Sequence, residues 1–95
     1  NEFDQMRLSQ QGRCAICRSL PDEPHGVLVV DHCHMTDRIR QLLCNNCNMA
    51  VGLLHDDPVT ATELVVYLLR HHPDEVDRQI AISMLQDALC SEVRQ

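Results

Sequence analysis

The sequence predicts a small α+β domain, stapled by a four-cysteine zinc site and followed by two C-terminal helices, and three observations carry that reading. Cys14-Ala-Ile-Cys17 and Cys44-Asn-Asn-Cys47 stand 26 residues apart. Between them Val27-Leu28-Val29-Val30 forms a β-branched run of strand length. Beyond Asp57-Pro58, apolar residues recur at helical spacing in two successive segments. A chain of 95 residues supports one modest core. With one Phe, one Tyr and no Trp that core must be aliphatic, and cores of this size need a staple.

Residues 3–11 read as a short helix, with Gly12 past its end as a left-handed cap; Asn1 and Glu2 receive no role. The helix delivers the chain to Cys14. Each CxxC turns two thiolates toward one ion, and a tetrahedral Zn²⁺ takes two such hooks. A disulfide framework would call for a secretory signal, which the N-terminus does not show, and a thioredoxin-like pair needs only one CxxC in a βαβ setting. Arg13 and Arg18 flank the first hook and are expected to offset the excess negative charge of four thiolates. Cys33 and Cys90 read as small buried hydrophobes. Residues 19–26, with Pro21, Pro24 and Gly26, read as an exposed loop.

After the strand at 27–30, Met35-Thr36-Asp37 is a turn and residues 38–43 a second strand, so the zinc loop encloses a hairpin. A short helix follows from Asn45, with Cys44 and Cys47 expected on one face as i and i+3. Asp57-Pro58 opens a helix over 58–70, with Ala61, Leu64, Val65, Leu68 and Leu69 as its apolar row and Tyr67 also read as core. His71-His72-Pro73 ends it. The last helix, 74–93, carries two stripes: Val76, Ile80, Met84, Ala88, and Ile82, Leu85, Leu89, Val93. One is expected to cover the zinc core, the other to meet a second copy as a homodimer.

The net charge is −6, lysine is absent, and eight of the 14 acidic residues lie from Asp56 onward. Broad electrostatic capture of nucleic acid is thereby excluded, because nonspecific affinity comes from phosphate neutralisation. DNA affinity would rest on a few arginines, a metal, or a protein partner that supplies it. Neither a membrane-length apolar run nor a signal-peptide pattern is present, so the chain is expected to be cytoplasmic and away from membranes.

Inside the zinc loop, Asp31-His32-Cys33-His34 follows the first strand, and Asn48 follows the last zinc cysteine. Asp and Asn oxygens suit Mg²⁺ or another divalent cation, and an unliganded imidazole can take a proton from water near pH 7. In a regular strand Asp31 and His32 would point to opposite faces, with His32 and His34 on one side. For Asp31 and His32 to converge, the strand must end or bulge there. Arg38 and Arg40, leading to the second hook, are candidates for phosphate contacts, against the plainer reading of a solvated strand face. His25, His55, His71 and His72 read as loop and helix-end residues.

Taken together, Cys14-x-x-Cys17, Leu28-Val29-Val30-Asp31-His32-Cys33-His34-x-Thr36, Arg38-Ile39-Arg40-x-Leu42-Leu43-Cys44-x-x-Cys47-Asn48, and then Gly52, Leu53 and Asp56, resemble the recombination endonuclease VII family of HNH (ββα-metal) nucleases. The resemblance spans about residues 10–57. It implies a zinc-stapled ββα-metal nuclease core over 1–56 and a helical tail over 57–95, packing on the core or forming a dimer interface. It also implies a bacterial or phage-encoded DNA endonuclease acting on duplex or branched DNA. Cys14, Cys17, Cys44 and Cys47 would hold structural zinc, Asp31 and Asn48 catalytic Mg²⁺, His32 would be the general base, and His34 a secondary active-site residue. The alternative is a catalytically inactive zinc-stapled protein- or DNA-binding module. Three positions depart from the pattern. Asp37 and Gln41 stand where glycine is frequent, and Val51 replaces the acidic residue that the junction-cleaving member carries one turn after its metal-binding Asn. Substrate specificity is not carried over.

Overall fold

The computed structural model describes residues 1–21 and 26–93. The loop reading over 22–25, including Pro24 and His25, lies outside the described residues, as does the side chain of Val93. The chain divides into two compact units, Asn1–Asp57 and Pro58–Gln95.

In the first unit the order is α1 (Glu2–Ser9), β1 (Val29–His32), β2 (Ile39–Leu43) and α2 (Asn45–Leu53). Asn1, given no role from sequence, caps α1: its Oδ1 accepts from the Asp4 amide at 2.9 Å. The helix stops at Ser9, two residues earlier than the sequence predicts, because Gln11 and Gly12 both take left-handed φ values of 57° and 70°. Gln10 then acts as a clamp. Its side-chain amide donates to the Leu42 carbonyl and accepts from the Leu42 amide, both at 2.9 Å, so one glutamine tethers the end of α1 to β2.

The hairpin is antiparallel, pairing Val29 with Leu43, Val30 with Leu42, and His32 with Ile39. The first strand therefore begins at Val29 rather than Val27. Its partner ends at Leu43, where Cys44 leaves the ladder to cap α2, so residues before Val29 have nothing to pair with. From Val30 to His32 the first strand advances two residues while the second advances three, so the bulge falls on β2, with Arg40 and Gln41 opposite Asp31. The turn closes with Cys33 N–H donating to the Arg38 carbonyl at 2.8 Å and Asp37 N–H to the Cys33 carbonyl at 2.7 Å. Asp37 sits at φ 61°, a conformation Asp tolerates better than most residues.

The core is correspondingly small. Cys14 and Leu42 are fully buried at 0% exposure, Leu28 and Leu43 nearly so, and Met6, Ala15, Cys44, Cys47 and Val51 pack against them.

The second unit holds α3 (Pro58–His71) and α4 (Glu75–Val93). Asp74 caps α4, its Oδ1 accepting from the amides of Val76 and Asp77 at 2.8 and 3.2 Å. Arg78 joins the two helices by donating from Nε to the Leu69 carbonyl at 2.7 Å. Within this unit the two helices alone do not enclose their apolar rows. No residue of α3 is buried, Tyr67 is 61% exposed and lies against His71, and Val76, Ile80, Met84, Leu85, Leu89 and Cys90 are exposed. The apolar rows are present, but two helices cannot enclose a row between them as a layered domain does. Among the described residues no helix is long and apolar enough to cross a membrane.

Candidate metal centre and active site

The sulfur atoms of Cys14, Cys17, Cys44 and Cys47 all lie within 4.8 Å of one another. Cys17 Sγ and Cys44 Sγ are 3.8 Å apart, far beyond a disulfide bond and equal to the edge of a tetrahedron with Zn–S bonds of about 2.3 Å. All six cysteines are free thiols. The cluster is thus compatible with a structural zinc site.

Local backbone builds each hook. Cys14 N–H donates to the Ser19 carbonyl at 3.0 Å and Arg18 N–H to the Cys14 carbonyl at 3.1 Å, closing a knuckle in which Arg18 adopts φ 65°. In the second hook Cys44 is the N-cap of α2 rather than a residue on its face, with its Sγ accepting from the Cys47 amide at 3.4 Å. The Ile16 amide reaches Cys14 Sγ at the same distance. Cys17 Sγ is held by the side chain and main chain of Ser19, which lower its thiol, and Arg13 Nη1, expected beside the thiolates, donates to the Arg18 carbonyl at 3.1 Å. Burial pushes the Cys14 thiol up, but the amides of Cys44, Cys17 and Ile16 outweigh it and bring it down to about 6. Burial and the neighbouring sulfurs push Cys47 up to about 12.

On the hairpin, Asp31 is buried, at 8% exposure, and held by Arg40: Nε to Oδ2 at 2.6 Å and Nη2 to Oδ1 at 3.0 Å. The bulge makes this pairing possible. The same Nη2 donates to Asp56 Oδ1 at 3.3 Å. Asp56 Oδ2 in turn accepts from the His34 amide at 3.3 Å and lies 2.8 Å from His34 Nδ1. The His34 ring meets the His32 ring edge to face, with centroids 5.5 Å apart, and His32 Nε2 stands 3.9 Å from Asp37. Asp31, His34 and His32 are therefore joined through Arg40 and Asp56. Asn48 is exposed on α2 directly after Cys47, its amide donating to the Cys44 carbonyl at 2.9 Å. Arg38 is exposed beside the turn. Val51 packs on the core, which accounts for an apolar residue at that position.

Asp31 and Asn48 carry hard oxygens of the kind a divalent cation takes: each Asp31 oxygen gives one lone pair to Arg40 and keeps a second, and Asn48 bears a carboxamide oxygen on α2. Mg²⁺ commonly takes only one or two protein ligands and keeps water in its other positions.

Asp56 is the residue whose function the sequence reading left unassigned. His55 and Asp56 take consecutive left-handed φ values of 54° and 57°, and the bonds His55 N–H to Gly52 O at 3.0 Å and Asp56 N–H to Val51 O at 3.2 Å fold the end of α2 back. That reversal carries the Asp56 carboxylate to the hairpin. The His34 amide, then the His34 ring and Arg40, hold its carboxyl below the usual carboxylate range despite burial acting the other way.

A family model described as recombination endonuclease VII matches residues 1–70. No curated protein and no solved structure matches the chain.

Proposed function

Because the chain belongs to the recombination endonuclease VII family, we propose that it is a metal-dependent DNA endonuclease of the HNH type, hydrolysing phosphodiester bonds by nicking or double-strand cutting. Membership supports a nuclease-like, DNA-processing function; the finer reading rests on the contacts that join Asp31, Arg40, Asp56 and His34, with His32 beside them.

In this reading Asp31 and Asn48 hold a divalent cation such as Mg²⁺, which supplies charge stabilisation at the scissile phosphate and leaving oxygen. His32, half exposed, takes a proton from the attacking water. His34 is a secondary site residue. Arg38 is the freer arginine for a backbone phosphate, while Arg40 is first a holder of Asp31. With a net charge of −6, affinity for DNA rests on few contacts, and a protein partner or a second copy joined through the C-terminal helices would add to it.

The test is incubation of zinc-loaded protein with supercoiled plasmid and with a four-way junction, with and without Mg²⁺, beside His32→Ala. Cleavage that requires both Mg²⁺ and His32 is expected; activity unchanged in His32→Ala would remove His32 as the base. The second reading, an inactive zinc-stapled binding module, is favoured by the guanidinium already seated on Asp31 and by Val51 in place of an acid. Binding of either DNA by folded protein without cutting would select it.

A further inference from the structure

Asp56 joins three parts of the first unit: the turn after α2 that carries it, the segment after β1 through His34, and β2 through Arg40. Its side chain is 10% exposed, whereas that of His34 is 65% exposed. A structural surface pair would leave both ends in water. Here the carboxylate is enclosed and the imidazole is presented.

The bond between them fixes a proton. An ionised carboxylate only accepts hydrogen bonds, so at 2.8 Å from Oδ2 the Nδ1 atom of His34 must be the donor. A neutral imidazole carries one proton, so Nε2 keeps its lone pair. The His34 main-chain amide donates to the same oxygen, which ties ring and backbone to a single acceptor and restricts the ring's rotation.

We propose that Asp56 is a positioning residue of the active site, holding His34 as the Nδ1–H tautomer with Nε2 as an acceptor while it steadies Arg40 against Asp31. The proposal deepens the nuclease reading and rests on it for its catalytic consequence. A lone pair beside His32 serves a hydrolytic site as an acceptor for water or as a ligand atom, and the opposite tautomer serves neither purpose.

The test follows the ring nitrogens of His34 by ¹⁵N NMR in zinc-loaded wild type, Asp56→Ala and Asp56→Asn, above the ordinary imidazole range, with plasmid nicking assayed in parallel. Wild type is expected to carry the proton on Nδ1. Asp56→Ala is expected to move it to Nε2 and to slow nicking about 10–100-fold. Asp56→Asn retains a carbonyl acceptor, so it keeps the Nδ1–H tautomer and more of the rate. A wild-type proton on Nε2, or the same tautomer in wild type and Asp56→Ala, overturns the proposal. The wild-type spectrum decides this even if Asp56→Ala does not fold. If no protein cuts DNA while the tautomer follows Asp56, the nuclease reading falls and the His34–Asp56 assignment stands. If wild type and Asp56→Ala cut equally well, Asp56 is not a positioning residue of the active site, whatever the tautomer, and the nuclease reading stands.

Discussion

Arg40 grips both carboxylate oxygens of Asp31 across the hairpin, at 2.6 and 3.0 Å, from the bulged position of β2. The acid is buried and the arginine about one-third exposed, at 34%, so solvent screens the pair from one side only. Removing the guanidinium takes from a buried carboxylate the counter-charge and both hydrogen bonds that Arg40 supplies. Arg40→Met is therefore expected to destabilise the zinc-loaded protein by about 1–2 kcal/mol, below the ~3–5 kcal/mol of a fully enclosed pair. Thermal unfolding measures it, and a double-mutant cycle with Asp31→Asn isolates the coupling. A cycle energy near zero would mean that the pair contributes nothing beyond shape.

The four-cysteine cluster is continuous with the small core of the first unit. Cys14 belongs to the cluster and, like Leu42, is fully buried, and Cys44 and Cys47 pack on the same core. Losing a ligand removes metal affinity and core contacts together. Cys14→Ser and Cys47→Ser are expected to lose zinc and unfold, and a chelator is expected to do the same to the wild type. Metal analysis with circular dichroism checks this against one zinc per chain in the native protein. A folded, zinc-free variant would contradict it.

Spacing made the zinc ligands, the hairpin between them and the starts of α2 and α3 legible, because each rests on chemistry local to a few residues: two CxxC hooks, a β-branched run, a proline at a helix start. The bulge was anticipated from the need to bring Asp31 and His32 together, yet it lies on the opposite strand, since only the pairing register reveals which strand carries the extra residue. The contacts of Asp56 were hidden for a further reason. Its approach to His34 depends on two consecutive left-handed residues, His55 and Asp56, neither of them glycine, so no turn signal announced the reversal. In α3 and α4 periodicity reports which residues share a face, not what covers it.

Asp56 should also show its contacts in a titration. The amide and ring of His34 and the Arg40 guanidinium favour the ionised form, so the folded pKa lies below the unfolded one. A carboxyl shifted in this direction contributes stability above its unfolded pKa and loses that contribution as pH falls through the folded value. Thiolate protonation with zinc release sets a separate acid limit, so the carboxyl carbon is best followed directly by ¹³C NMR. Asp56 is expected to remain ionised where ordinary aspartates begin to protonate, at about pH 4. His34→Ala should move its titration upward, and an ordinary wild-type midpoint would contradict the geometry.

Leu42 and Gln10 meet at one place but should fail differently. The Leu42 side chain is wholly enclosed at 0% exposure, so Leu42→Ala removes transfer free energy and leaves a cavity, at a cost of about 2–5 kcal/mol. Gln10 contributes little apolar burial but satisfies both backbone polar groups of Leu42, each at 2.9 Å. The Leu42 carbonyl has a second donor in the Ala15 amide at 3.1 Å, whereas its N–H donates to Gln10 Oε1. Gln10→Ala therefore leaves that N–H unpartnered, and about 1–3 kcal/mol is expected. Gln10→Glu retains an acceptor for the N–H but loses the donor to the carbonyl and should fall between. Thermal unfolding of the three zinc-loaded variants ranks them, and a Gln10→Ala protein as stable as wild type would show that water replaces the clamp.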